Sequence, residues 1–149
     1  HQDLLTAAAE EAGARMGRRL TTHPADKLRG LKGDAALNAL QALVETVMPV
    51  DEPRRDEAIV VVELIMASRT MQVFRAMSQR MASDLATVLR DALDALCVPE
   101  PDLAAAQLAA VIGGLTLDTV TPHGGLSVER LRTILRAHLR MLLTNEKYG

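Results

Sequence analysis

Two consecutive apolar helical patterns between Pro99 and Leu143 most constrain how this chain can fold. The first pattern begins near Pro101, repeats apolar residues at helical spacing, and ends at a turn that contains Pro122 and two glycines. Ser127 is a suitable N-cap for the second pattern. Both apolar stripes are wider than one chain needs to build its own core. The sequence therefore predicts a homodimer joined by these two helices, with an antiparallel helix hairpin inside a monomeric bundle as the alternative.

Small residues on the first of these helices indicate close contact with another helix. Ala110 and Gly114 lie four residues apart on one side, so a second helix backbone can approach them closely. Glycine inside a helix costs about 1 kcal/mol relative to alanine, which indicates a packing reason for its presence. His138 in the second helix is interpreted as a satisfied interface histidine, and a pH-sensitive group is the alternative. The predicted dimer interface consists of Ala110, Gly114, Leu117, Leu131, Leu135, His138 and Leu142.

The composition favours an all-α fold. The chain has 149 residues, of which 48% are apolar and 1% aromatic, so its core must be built from leucine, alanine, valine, isoleucine and methionine. Only residues 59–62 (IVVV) are β-branched enough for a strand, and they lie within a longer helical pattern. We expect a single domain over residues 1–149, a bundle of about six helices in which the last two form a dimeric four-helix bundle.

Caps, prolines and glycines predict the bounds of the other helices. Asp3 can cap the first helix and Asp51 the third, whereas Pro49 and Pro99 end the second and the fourth. Glycines before Asp34 predict a break in the chain there. The predicted helices cover about residues 3–20, 34–48, 52–68, 69–98, 101–120 and 128–143. We expect the polar tail, residues 145–149, to fray.

Three segments, which together cover nearly the whole chain, follow the pattern of one protein family. The segment LAAAQLAAVIGGLTLDTVTPHGGLSVERLRTILRAHLRMLL contains a GGL step, a loop with proline and a closing helix. The segment MPVDEPRRDEAIVVVELIMA joins two helices, and HQDLLTAAAEEAGARMGRRL opens the chain. On these segments the chain resembles the C-terminal, effector-binding and dimerisation domain of TetR-family transcriptional regulators, although Gly113 stands where that family often has aspartate.

The resemblance implies a function and its partners. It implies a homodimer and a ligand-responsive transcription regulator that acts as a repressor. Residues 1–20 resemble the helix that directly follows the family's helix-turn-helix. Operator DNA would then be bound only through an N-terminal domain outside these residues. The alternatives are a helical lipid-carrying or scaffolding dimer that does not bind DNA and, further off, a small helical enzyme.

Charge and cysteine content limit the cellular compartment and the binding partners that can be expected. The formal charge is −2, which argues against nucleic-acid binding by this chain itself, although residues 12–33 are locally basic. Cys97 is the single cysteine, so no internal disulfide can form and a cytoplasmic location is the simplest expectation. The longest run without charge, residues 103–117, is short for a membrane span, so no membrane association is expected.

No pattern in the sequence indicates catalysis or a metal site. The four histidines have no glutamate or histidine three or four residues away, so neither a metal nor a cofactor is expected. Cys97 has no neighbouring histidine and is interpreted as a small core residue. No nucleophile stands beside a base, and we therefore do not expect an enzyme.

A ligand site is predicted around Glu63, the only ionisable residue within residues 58–67. That segment is apolar on every side, so we expect Glu63 to be partly buried and to need a partner from outside its own helix. The partner is either an arginine, with Arg15, Arg75 and Arg80 as candidates, or the cationic group of a ligand. Methionines fit a small apolar or cationic effector because they adapt to its shape. The predicted ligand-binding residues are Met16, Glu63, Met66, Phe74, Met77 and Met81.

Overall fold

The described residues, 2–144, form an all-helical bundle in this computed structural model. Its α-helices are α1 (Gln2–Leu20), α2 (Gly33–Glu45), α3 (Glu52–Ala67), α4 (Gln72–Ala95), α5 (Pro101–Val120) and α6 (Val128–Thr144). A short 3-10 helix, Ala25–Leu28, lies between α1 and α2. No strand occurs among residues 2–144, and residues 59–62 lie within α3. The predicted bundle of about six helices is confirmed, whereas its dimeric form stays a prediction and the predicted tail at 145–149 lies outside the described residues.

Side-chain caps set the beginnings of two helices as the sequence predicts. The Asp51 carboxylate accepts a hydrogen bond from the Arg54 backbone N–H at 3.0 Å, before the first turn of α3. The Ser127 hydroxyl accepts one from the Arg130 backbone N–H at 3.1 Å, before the first turn of α6. Both caps satisfy backbone donors that have no partner within the helix.

Left-handed backbone conformations interrupt the chain before α2 and after α4. Gly30 and Gly33 adopt φ angles of 83° and 59° at the predicted break before α2. Cys97 adopts a φ angle of 61° after α4, which lets the Val98 N–H bind the Leu93 carbonyl oxygen at 3.0 Å. This arrangement ends a helix by returning the chain over its last turn. Cys97 is exposed there, so its interpretation as a core residue is wrong.

The bundle contains two apolar clusters rather than one continuous core. The main cluster joins α2, the second half of α4, α5 and α6, with α2 packed on α6 and α4 on α5. The small cluster joins α1, α3 and the first half of α4, and its buried members are Ala9, Leu64 and Phe74. Because α1 rests mainly on α3, space remains between α1 and the main cluster.

A buried ion pair fixes the end of α1. Glu57 of α3 is 5% exposed, and both of its carboxylate oxygens accept hydrogen bonds from the Arg19 guanidinium of α1. The Arg19 Nε also donates to the Thr46 carbonyl oxygen, directly after α2, at 2.9 Å. One guanidinium therefore holds three elements together, and its geometry is the two-pronged one that arginine makes with carboxylates.

Two further arginines, both in α3, bind the ends of other helices. Arg54 donates to the Glu45 carbonyl oxygen at the end of α2 at 2.9 Å. Arg55 donates to the Thr119 carbonyl oxygen near the end of α5, also at 2.9 Å. The last carbonyls of a helix lack intrahelical partners, and a cation beside them also complements the helix dipole. The beginning of α3 is therefore a joint that positions α1, α2 and α5.

Replacing Arg19 tests this joint. Arg19→Met would leave the Glu57 carboxylate nearly dry without a partner, so we expect the free energy of unfolding to fall by about 3 kcal/mol. Arg15→Met is the matched control on the same helix, because Arg15 forms only an exposed pair with Glu11. It should cost less than about 1 kcal/mol. Urea unfolding followed by circular dichroism measures both, and equal losses in the two variants would contradict a structural role for the buried pair.

Candidate functional site

A cavity of ≈ 530 Å³ lies between α1, α3, α4 and α5. Its volume is within the range of pockets that hold small molecules. The wall is mainly aliphatic, and its larger members include Met16, Leu20, Val61, Ile65, Leu85 and Ile112. The polar lining residues are Ser78, Arg80, Asp84 and Thr116. The cavity therefore suits a ligand with a mainly apolar body and few polar groups.

Three glycines leave room for this cavity. Gly13 and Gly17 of α1 and Gly113 of α5 all line it. A Cβ atom at Gly17 or Gly113 would meet no neighbouring group within 4 Å, and one at Gly13 would meet only the Met81 methyl carbon at 4.0 Å. Each helical glycine costs about 0.5–1 kcal/mol relative to alanine, so these residues lower stability without relieving a clash inside the chain. The four-residue spacing of Gly13 and Gly17 is the signal from which the sequence could have indicated the cavity.

The cavity separates α1 from the main apolar cluster, except at Leu20, which packs against that cluster. Met81 in its wall packs against the small cluster, whereas Ile112 in the opposite wall belongs to the main one. Four residues of α1 form a third side, and the Arg19–Glu57 pair holds the end of that helix. A ligand in the cavity would therefore contact α1 directly.

The charged groups of the wall lie on α4. Arg80 and Asp84 are one helical turn apart, both are exposed, and neither forms an ion pair or a hydrogen bond with its side chain in the described chain. Within residues 2–144, no group of three or more His, Cys, Asp or Glu side chains is placed to hold a metal ion. The polar lining offers charge and hydrogen bonds for recognising a ligand.

Four of the predicted ligand-binding residues lie in or beside the cavity. Met16 and Met81 line it. Phe74 is buried in the small cluster and Met77 packs against that cluster, so these two support the wall without lining it. The methionine pattern therefore coincides with the region of the cavity, and the role of these residues in ligand binding stays a prediction.

The expected burial of Glu63 is wrong. Glu63 is exposed and forms no ion pair with any of the three candidate arginines or with another group among residues 2–144. Met66, the sixth predicted ligand-binding residue, is also exposed, and neither residue lines the cavity. The buried acid of α3 is Glu57, which sequence analysis missed. Since α3 is apolar on every side, its sequence does not show which face is turned inward.

Three of the seven residues of the predicted dimer interface lie in the core of the single chain. Leu131 and Leu135 are 0% exposed and Leu142 is buried, because α6 packs against α2. A side chain without accessible surface has nothing to bury against a second copy. These three leucines therefore belong to the main cluster, which corrects their assignment to the interface.

The α5 part of the predicted interface is uncovered. Ala110, Gly114 and Leu117 are exposed, as are Leu103 on the same helix and Met141 on α6. By length and composition alone, α5 is the one described helix that could cross a membrane, a test that core helices also pass. Only 33% of its most apolar window is buried, however. α5 thus presents apolar surface that one chain does not cover.

His138 of α6 is partly buried, and its Nε2 atom is enclosed without a hydrogen-bond partner from the described residues. Burial lowers the pKa of this imidazole below its ordinary value of about 6.5. Burial therefore favours the neutral form of the ring. Residues 2–144 of the single chain do not supply the partner expected for a satisfied interface histidine.

The fold is that of a helical domain of transcriptional regulators. It superposes on a transcriptional regulator from Rhodococcus sp. Rha1 with a TM-score of 0.73, over 95% of this chain and 70% of that chain, at 23% sequence identity. Residues 36–144 match the family of C-terminal domains of BetI-type transcriptional repressors, within the TetR group. The chain belongs to this TetR C-terminal family, as its sequence predicts, and is part of a transcription regulator. No curated protein matches the sequence significantly.

His138 should make stability depend on pH. Its pKa is lower in the folded chain than in the unfolded one, so below about pH 6.5 the unfolded chain binds more protons and the free energy of unfolding falls with decreasing pH. Above that pH the contribution of His138 should be constant. Urea unfolding between pH 5 and pH 8 measures the free energy of unfolding as a function of pH. His138→Gln should flatten the acid limb, which is the fall in this free energy at low pH. His123→Gln, a variant at an exposed loop position, should not. Identical acid limbs in the wild type and His138→Gln would contradict the assignment.

Proposed function

We propose that this chain is the effector-binding and dimerisation part of a ligand-responsive TetR-type repressor in the cytoplasm. A helix-turn-helix joined to the beginning of α1 would bind the operator. The observation that carries the proposal is the ligand-sized, aliphatic cavity with α1 as one wall. The membership of the chain in the BetI-type repressor family supports the repressor role. Its net charge of −2 is consistent with DNA contact being made by another domain.

The proposed response to ligand runs through α1. This helix is held by the small cluster near Ala9 and by the Arg19 pair at its end, with the cavity between those two supports. A ligand that fits better when α1 has one of two orientations would shift the population toward that orientation. A ligand that fits both equally would shift nothing. The differential contact must therefore come from the residues of α1 that face the cavity, which include Met16 and Gly17.

Filling the cavity tests whether it binds ligand. Gly113→Leu places a side chain where a Cβ meets no neighbouring group within 4 Å, so the fold should tolerate it. We expect this variant to bind 1-octanol at least about tenfold more weakly than the wild type, because the apolar volume is lost. Ala42→Leu, at an exposed site of α2 outside the cavity wall, is the control and should bind as the wild type does. Calorimetry that finds equal octanol affinity in Gly113→Leu and Ala42→Leu would remove the cavity as the effector site.

We further propose that a second copy of the chain covers α5 and the exposed side of α6. Leu103, Leu117 and Met141 supply exposed apolar surface, and the small residues Ala110 and Gly114 allow close approach of a helix backbone. A twofold contact of this kind would bury roughly 1,200–2,000 Å² in total. The interface we propose differs from the one predicted from sequence, because Leu131, Leu135 and Leu142 are excluded from it.

A charge at Gly114 should separate the dimer without unfolding the chain. No neighbouring group lies within 4 Å of a Cβ at this position, so Gly114→Arg fits a single folded chain but places a guanidinium in the proposed interface. We expect a monomer with unchanged helix content, whereas Ala42→Arg should remain dimeric. Analytical ultracentrifugation at micromolar concentration distinguishes the two species. A monomeric wild type, or a dimeric Gly114→Arg, would refute the proposed interface.

A further inference from the structure

A second cavity of ≈ 330 Å³ adjoins the first one at the end of α1. The two cavities share three lining residues, Gly17, Leu20 and Asp84. The second cavity is otherwise lined by the turn after α1, including Thr21 and His23, and by residues of α4 and α2. A narrow ligand that enters the aliphatic cavity can therefore extend past Asp84 into the second one.

The charges around this junction favour a cation. Asp84 has no ion-pair partner among the described residues, although it borders both cavities. Asp91 also lines the second cavity, but Arg90 pairs with it at 2.8 Å. The end of α1, which carries the negative end of its helix dipole, forms another side of the same cavity, and the two arginines of its last turn are each paired with a glutamate. Arg80 lines the first cavity and not the second, so it does not neutralise the second cavity from within.

The absence of aromatic walls narrows the chemistry of that cation. Among residues 2–144, no Phe, Tyr or Trp side chain lines either cavity. Quaternary ammonium groups have no N–H to donate and are typically held by aromatic faces. A primary ammonium or an amidinium can instead donate charge-assisted hydrogen bonds to a carboxylate. A cation bound at Asp84 would therefore be favoured if it can donate hydrogen bonds.

We propose that the two cavities form one site for an amphipathic cation, with its apolar body against the aliphatic wall and an N–H-donating head group at Asp84. This inference rests on the proposed function, since it names the effector class of the same cavity. It moves the anchoring carboxylate from α3, where sequence analysis placed it at Glu63, to α4. Asp84 lines the same two cavities as Gly17 and Leu20, so a head group bound there would lie near the end of α1.

Four probes with the same eight-carbon chain separate the contributions of body and head group. Octylamine, 1-octanol, octanoate and octyltrimethylammonium are titrated into the chain by calorimetry, below their aggregation concentrations. Octylamine should bind most tightly. Asp84→Asn should weaken octylamine binding by about threefold to tenfold, a range that reflects an exposed carboxylate, and should leave 1-octanol binding unchanged. Asp94→Asn, at an exposed position of the same helix outside both cavities, is the matched control and should bind all four probes as the wild type does.

Each contrary result would overturn a different part of the proposal. Tightest binding of octanoate, weakened by Arg80→Gln, would overturn the cationic class while leaving the cavity as the effector site. Equal affinity for octylamine and octyltrimethylammonium would overturn selection by N–H donation. Octylamine binding that is the same in Asp84→Asn and Asp94→Asn would overturn the assignment of Asp84. If none of the four probes binds the wild type, both this inference and the proposed effector site fail.

Discussion

The position of α1 depends on the ion pair between Arg19 and Glu57. Along the second half of this helix there is a cavity instead of a core, so apolar packing supports α1 mainly through the small cluster at its first half. A carboxylate as buried as Glu57 is stable only with a partner, and the Arg19 guanidinium meets it with both prongs while it also binds the Thr46 carbonyl. A directional polar joint therefore replaces the apolar contact that the cavity removes.

The missing packing contacts that leave the cavity open are also what would let α1 move, as a switch requires. Side chains that border an empty volume lose dispersion contacts, and the glycines at positions 13, 17 and 113 deepen that loss. A bound ligand would restore those contacts and stabilise the folded chain. Once the ligand concentration exceeds the dissociation constant, this stabilisation grows with the logarithm of the concentration. Ligand binding in the cavity and the stability of the packed position of α1 are therefore thermodynamically coupled.

The sequence predicted where the helices begin and end, but not which face of each helix is turned inward. Local signals such as the Asp51 and Ser127 caps act within three residues, so they could be recognised without the fold. The facing of α3 could not, because its apolar residues surround the axis and the group that draws Glu57 inward is an arginine 38 residues away. The apolar face of α6 was also predicted from the sequence. An apolar face has the same sequence pattern whether Leu135 packs on α2 of its own chain or on a second copy.

Two adjacent glycines show how α5 can serve two surfaces at once. Successive residues of an α-helix are rotated by about 100°, so Gly113 and Gly114 cannot share one face. Both are exposed, but Gly113 borders the cavity and Gly114 does not. Without side chains at either position, one helix backbone separates the proposed ligand from the proposed second copy. A ligand that shifts α5 would therefore shift the contact between subunits directly, with no chain of intervening side chains needed to carry the displacement.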